Sequence, residues 1–167
     1  MEAGAGVEAL VLAAVAATGH PYEVIACDPE LADTAAFCAH YGYPPEESAN
    51  TIVVASRRPE GRNAACVVLS TTRLDVNGLV RRRLGVRKAS FASADLTAEL
   101  TGMMIGGVTP FGLPDELPRW IDARVMGLER VILGGGSRSI KLHVDPAALV
   151  AAGGVVVEDL ATATGSV

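Results

Sequence analysis

The stretch Thr101-Gly-Met-Met-Ile-Gly-Gly-Val-Thr-Pro-Phe-Gly112 is the most informative part of this 167-residue chain. Gly106 and Gly107 have no Cβ, so their main chain can approach a ligand closely and adopt positive φ angles. Pro110 fixes one φ angle and removes one N–H donor, which stiffens the turn. Backbone N–H groups held in this way can stabilise an oxyanion. Taken alone, a Gly- and Pro-rich loop at residues 106–114 is also typical of a plain surface connection.

Helices and strands are predicted on both sides of this loop, without a regular βαβ period. The expected helices lie at residues 7–18, 31–40, 76–84 and 93–102, followed by one that Asp145 caps and Pro146 begins. The expected strands lie at residues 22–26, 51–55, 65–70, 88–91, 131–133, 140–144 and 155–158, and the polar segment 57–63 makes a hairpin of two of them. We therefore expect an α/β protein of the α+β type. A single domain at residues 1–160 would contain a mixed, curved β-sheet surrounded by helices, with a loose tail at residues 161–167.

The composition favours one cytoplasmic domain without cofactors. Half of the residues are hydrophobic, which is enough for one core in a chain of this length. The apolar run at residues 7–18 is too short to span a bilayer, and no Lys or Arg precedes it. We expect a buried helix there and no membrane partner. The three cysteines and three histidines have neither disulfide nor zinc spacing, which predicts free thiols and no metal site.

The positive charge is concentrated in one segment. The net charge is −5, and residues 1–56 contain no Lys or Arg, whereas residues 57–88 contain nine of the fourteen basic side chains. An acidic protein with one basic segment can still hold a phosphate backbone locally. The alternative is that Arg81, Arg82 and Arg83 only solvate a helix.

Five segments in the same order resemble the YbaK/ProX family, which includes the editing domain inserted in some prolyl-tRNA synthetases. The loop at residues 101–112 resembles its TGxxxGGVSPFG-like signature, with Gly106 and Pro110 at the Gly-x-x-x-Pro positions. The other four segments are Arg87-Lys-Ala-Ser-Phe-Ala-Ser93, Trp120-Ile-Asp122, Gly134-Gly-Gly-Ser-Arg-Ser-Ile140 and Asp145-Pro-Ala-Ala-Leu149. The resemblance covers roughly residues 20–160.

The resemblance implies a trans-editing aminoacyl-tRNA deacylase. Such a protein binds the acceptor end of a mischarged tRNA carrying a small amino acid and hydrolyses its ester by substrate-assisted attack of water. An aminoacyl-tRNA synthetase is a further expected partner, and the protein would be a monomer or a homodimer. The residues implied in catalysis are Gly106, Gly107, Thr109, Pro110 and Asn50. Those implied in substrate binding are Thr51, Gly102, Asp122, Gly136 and Arg138, and those implied in tRNA backbone binding are Arg81, Arg82, Arg83, Arg87 and Lys88. From the residues alone, there is a structural alternative to substrate binding for two of them: Asp122 can be a helix cap or turn residue, and Arg138 can hold the turn that follows the three glycines.

Asn50 is the main departure from the family pattern. Family members carry a Lys-Thr-Leu-Val motif on a strand, and its lysine contacts the aminoacyl end of the tRNA. Here the stretch is Ala49-Asn-Thr-Ile-Val53, and an asparagine amide donates hydrogen bonds but supplies no charge. Two functions therefore remain open: an editing enzyme, and a binding module for tRNA or a small ligand that has lost hydrolysis. A hydrolase of free small esters is a third.

Overall fold

Ten strands and five α-helices are present in the residues that the structure, a computed structural model, describes, namely 3–163. The strands are β1 (Tyr22–Ala26), β2 (Ala49–Arg58), β3 (Glu60–Leu69), β4 (Thr72–Leu74), β5 (Lys88–Phe91), β6 (Arg119–Asp122), β7 (Val131–Gly134), β8 (Ile140–Val144), β9 (Val155–Val157) and β10 (Ala161–Ala163). The helices are α1 (Ala3–Ala17), α2 (Thr34–Tyr41), α3 (Arg81–Leu84), α4 (Ala94–Thr101) and α5 (Ala147–Ala151).

The strands form three sheets. The largest has the order β5-β2-β3-β6-β9, in which β5, β2 and β3 are antiparallel while β6 and β9 pair in parallel. A second, antiparallel sheet has the order β1-β8-β7, and β4 pairs with β10. A parallel bridge between Ser48 and Ile132 joins the first two sheets beside the start of β2. The α/β fold with a mixed sheet and surrounding helices is confirmed, whereas its division into three sheets was not predicted.

Local signals explain most helix boundaries. Ser93 accepts a hydrogen bond from the Leu96 N–H at the start of α4, and Asp145 accepts one from the Ala147 N–H before α5. These are the positions at which Ser and Asp cap helices. The predicted helix at residues 76–84 is a π-helical turn followed by α3. The helix α1, which was predicted to be buried, buries only one face: Val11 and Val15 are fully buried, but Leu10 is exposed. No described helix has the length and apolarity needed to cross a membrane.

The strand prediction was wrong in four places, and the short strand β4 is one of them, since it was not predicted. β6 was missed because charged residues begin and end its four-residue sequence, although all four are buried. The predicted strands of the hairpin were too short, because β2 extends to Arg58 and β3 begins at Glu60. The register between them shifts between Ala55 and Arg57. Residues 161–163 are not a loose tail: they form β10, and the Arg124 guanidinium donates to the Ala161 carbonyl at 2.7 Å. Residues 164–167 lie outside the described part.

Candidate functional site

A cavity of about 380 Å³ lies where the first two sheets, the start of α2 and the Gly106 loop meet. Residues 49–53 at the start of β2 line one side of the cavity, and Ile105, Gly106 and Val108 of the loop line another. The remaining lining residues come from the start of α2, the end of β5, α4, β7 and β8: Ala32, Asp33, Thr34, Phe91, Ala92, Thr97, Gly134 and Lys141. Asn50, Thr51 and Gly106 are the predicted site residues that line it.

Asn50 carries a free polar group beside this cavity. The Asn50 side-chain carbonyl accepts a hydrogen bond from the Thr34 hydroxyl at 2.8 Å, which directs the amide group. The Asn50 NH₂ group donates to none of the described residues, so it is suited to bind a polar ligand. Thr51 also lines the cavity, but its Oγ1 is enclosed by the protein and has no hydrogen-bond partner in the described chain.

Arg138 fixes the Gly106 loop through hydrogen bonds of its guanidinium group. The guanidinium donates to the Pro29 carbonyl at 3.0 Å, to Asp33 at 3.2 Å and to the Ile105 carbonyl at 3.3 Å. Gly106 has φ +97°, and a Cβ at this position would overlap Arg138 Nη1. Arg138 is not among the residues that line the cavity, and its hydrogen bonds hold the turn at Ile105 and Gly106.

Three of the residues implied in catalysis are used structurally. The Gly107 N–H donates to Met104 and its carbonyl accepts from Gly136, so neither group is free for a ligand. Thr109 is wholly buried, and the Pro110 carbonyl accepts from Arg119 at 3.2 Å. None of the three lines the cavity. By contrast, none of the hydrogen bonds among the described residues uses the N–H of Gly106 or Val108, which both line it.

Three residues implied in substrate binding also lie away from the cavity. Gly102 is the exposed C-cap of α4, with φ +75°. Gly136 packs against α1, where a Cβ would overlap Val7 and Val11. Asp122 is fully buried at the end of β6 and pairs with Arg124 at 3.1 Å. In this structure Asp122 therefore anchors Arg124, which in turn holds β10.

Sequence reasoning did not identify Lys141 on β8 as a site residue, although it lines the cavity. It is 8% exposed, and its Nζ lies 5.4 Å from the centroid of the Phe37 ring. Burial lowers the pKa of Lys141 from its ordinary 10.5, Arg138 acts in the same direction, and Asp33 opposes it. Lys141 alternates with Ile140, Leu142 and Val144 along β8 and so lies on the opposite face, and the sequence does not indicate what covers that face.

Most basic residues of segment 57–88 lie near the end of β2, whereas Arg73 lies on β4. The main chains of Arg58 and Lys88 are opposite each other on β2 and β5, and the Arg62 guanidinium donates to the Gly85 carbonyl after α3. Arg83 lies over the Trp120 ring at 5.0 Å, Arg81 donates to the Asn77 carbonyl, and Arg82 lies beside Val156 and Glu158 at the β9 edge. Three exposed side chains, which we call the basic cluster, make no side-chain hydrogen bond or ion pair with the described residues: Arg58, Arg87 and Lys88.

The other candidate reactive groups do not form a site. Among the described residues, no group of three His, Cys, Asp or Glu side chains is arranged to hold a metal ion. Cys27, Cys38 and Cys66 are free thiols and all are buried. Burial raises the pKa of the Cys66 thiol to about 12, so the nucleophilic thiolate is not formed at neutral pH.

Comparisons with known proteins agree with this architecture. A family model described as "Aminoacyl-tRNA editing domain" matches residues 28–152. The chain is similar in fold to a protein described as a candidate trans-editing enzyme for prolyl tRNA synthetase, with 23% identity, a TM-score of 0.78 and coverage of 93% of this chain and 96% of the other. It is also similar to hypothetical protein APE2540, with 28% identity, a TM-score of 0.80 and coverage of 91% and 99%.

Proposed function

We propose that this chain, which belongs to the aminoacyl-tRNA editing domain family, hydrolyses the ester of a mischarged tRNA that carries a small amino acid. The observation that carries this proposal is the cavity between the Gly106 loop and the start of β2, with its unpaired donors. A volume of about 380 Å³ is near the lower end for ligand sites, so it suits an aminoacyl group with the terminal ribose and not a larger part of the tRNA.

The free donors support hydrolysis without a side-chain nucleophile. The N–H groups of Gly106 and Val108 and the amide of Asn50 are available to the ester carbonyl, on which negative charge develops when water attacks. The ester bond to the ribose then breaks, the ribose oxygen takes a proton from the water, and the amino acid leaves. An aminoacyl ester is already activated, so positioning and modest charge stabilisation suffice.

The rim of the cavity supports a substrate whose remainder lies outside. Phe91 and Ile105 line the cavity and are 58% and 54% exposed. An exposed aromatic ring at the mouth can stack on a nucleobase, an interaction worth about 1–3 kcal/mol per base. The basic cluster lies beyond Phe91 along β2 and β5, where it can contact the backbone of the acceptor stem. We therefore also propose aminoacyl-tRNA as the partner, with an aminoacyl-tRNA synthetase as a further one, in the cytoplasm.

A binding module is the second candidate, and Asn50 favours it. Asparagine at this position supplies no charge to an oxyanion, so the same cavity could hold an aminoacyl end without hydrolysing it. The two candidates differ in turnover and not in binding.

Deacylation of a panel of charged tRNAs tests the proposal. We expect a rate above spontaneous hydrolysis for at least one tRNA that carries a small amino acid. The matched variant is Asn50→Leu, which keeps a similar side-chain size and removes the amide whose NH₂ group has no partner in the described chain. It should slow deacylation about tenfold and lower the free energy of unfolding by about 1 kcal/mol at most, because only the hydrogen bond from Thr34 is lost.

Two outcomes decide between the candidates. If the wild-type protein binds charged tRNA but none of the panel is deacylated, the enzyme is rejected in favour of the binding module. If Asn50→Leu deacylates at the wild-type rate, the Asn50 amide does not contribute to the reaction.

A further inference from the structure

Lys141 is the one cationic side chain among the described residues that line the cavity. It comes from β8, in the second sheet, whereas Asn50 comes from β2 in the first. Neither the fold family nor the motifs in the sequence point to this strand as a source of charge.

Lys141 and Asn50 line the cavity from adjoining sheets. The single parallel bridge between Ser48 and Ile132 brings the start of β2 beside β7. Gly134 on β7 pairs directly with Lys141 on β8, so β7 lies between the strands that carry Asn50 and Lys141. Gly134 between them has no side chain, and all three residues line the cavity.

The ammonium group has no counterion in direct contact. No ion pair or hydrogen bond of Lys141 is found among the residues that the structure describes. The nearby Asp33 carboxylate is already paired with Arg138 at 3.2 Å. A buried charge without a partner is costly, and Lys141 is only 8% exposed. A ligand that brings an oxygen with negative charge would relieve this cost.

We infer that Lys141 is the cationic group of this site and contacts the carbonyl oxygen of the aminoacyl ester, in place of a lysine at position 50. This inference rests on the proposed deacylase function and assigns it a residue from a different strand. The ammonium stabilises the oxyanion that forms when the water oxygen bonds to the carbonyl carbon. When the oxyanion collapses, the carbon–oxygen bond to the ribose breaks, and the proton of the attacking water passes to the ribose oxygen. Lys141 keeps its protons throughout.

Substitution of Lys141 by methionine tests the role in turnover. Lys141→Met has a similar length and no charge, and we expect its single-turnover deacylation to be about 100-fold slower, since removing one oxyanion donor typically costs that much. Lys141→Arg, which keeps the charge, should retain more activity than Lys141→Met. Arg130→Met is the control for loss of a cation elsewhere, because Arg130 pairs with Glu23 on the surface and should deacylate as the wild type does. Full activity in Lys141→Met would overturn the inference.

A second variant separates a missing charge from a damaged fold. Asn50→Lys adds a cation from β2, and in the wild-type background it would face Lys141 and should give no gain. In the Lys141→Met background the same substitution should raise the deacylation rate at least tenfold. The melting temperature of Lys141→Met should not fall, because the variant removes a buried charge that has no counterion and keeps an apolar side chain against the Phe37 ring. A fall together with the rate would mean that Lys141 is structural.

A binding experiment keeps the inference testable if no charged tRNA is hydrolysed. Stable analogues in which glycine, alanine or serine is joined to 3′-amino-3′-deoxyadenosine by an amide bond present the same carbonyl group. The affinity of the best analogue should be about tenfold lower for Lys141→Met than for the wild type. Equal affinity, or no binding of any analogue to the wild type, would reject Lys141 as the ligand contact. Absence of deacylation with the expected loss of affinity would reject only the proposed enzyme.

Discussion

At the scale of single residues, two glycines share one positive φ angle in different surroundings. Gly61 in the β2–β3 hairpin and Gly106 in the cavity loop both have φ +97°. A Cβ at Gly61 would meet nothing within 4 Å, whereas at Gly106 it would overlap Arg138. The backbone strain is therefore comparable at the two sites, and only Gly106 adds a steric effect on the site.

Alanine at these two positions should separate strain from function. Gly61→Ala and Gly106→Ala should each lower the free energy of unfolding by about 1–2 kcal/mol, the cost of a left-handed conformation for a residue with a Cβ. Gly106→Ala should also slow deacylation at least tenfold, because it displaces Arg138 from Asp33 and Ile105 and so moves the cavity wall. Chemical denaturation and deacylation rates check both effects. Equal rates for the two variants would remove the loop from the mechanism.

At the scale of secondary-structure elements, β2 connects the cavity to the basic cluster. Val53 lines the cavity and Arg58 ends the strand, so the two are roughly 17 Å apart at 3.3 Å per residue. β5 runs antiparallel beside it, with Phe91 at the cavity and Lys88 in the cluster. An acceptor stem that leaves the cavity along this pair would pass the basic side chains.

The salt dependence of RNA binding should reveal these contacts. The double variant Arg87→Gln, Lys88→Gln removes charges whose side chains make no hydrogen bond or ion pair with the described residues. It should reduce the slope of log K against log salt concentration by about 1.5, because each lost phosphate contact lowers it by about 0.7–0.9. Fluorescence anisotropy with a labelled acceptor-stem RNA measures the slope. The variant Arg73→Gln, Arg130→Gln, outside the cluster, removes the same number of charges and is the control for net charge, and identical slopes for all three proteins would mean that the cluster only solvates the surface.

At the scale of the whole molecule, the cavity exists because separate sheets meet. Its walls come from β2 in the first sheet and from β7 and β8 in the second, which the Ser48–Ile132 bridge joins. α2 covers the side of β8 from which Lys141 projects, since Phe37 on α2 lies against Lys141. This covering excludes water from the ammonium group and lowers its pKa.

The stability of the folded protein should therefore depend on pH through Lys141. Because its pKa is lower in the folded chain than in the unfolded one, the unfolded chain binds more protons between the lowered pKa and 10.5, and stability rises with pH across that window. Lys141→Met should lose this rise, so its stability advantage over the wild type should shrink as pH increases toward 10.5. The groups around Lys141, namely Cys27, Cys38, Asp33 and Arg138, are common to both proteins.

Melting temperatures measured from pH 6 to pH 10 would check this effect, with Lys88→Met as the control for removing the exposed lysine. A constant difference between wild type and Lys141→Met over this range would mean that Lys141 titrates alike in the folded and unfolded chains.

Local chemistry explains what the sequence by itself determined. The helix caps at Ser93 and Asp145, the apolar strands and the motif at residues 101–112 all depend on neighbours in the chain, so the fold class and the two walls at Asn50 and Gly106 could be predicted. Only the tertiary structure decided that Gly107 and Asp122 are used internally, that Arg138 supports the loop, and that Lys141 enters the cavity. The physical reason is that alternation along a strand shows which side chains share a face, but not which distant element will cover that face. α2 covers the second face of β8, and a lysine that would otherwise be solvated becomes the charge of the site.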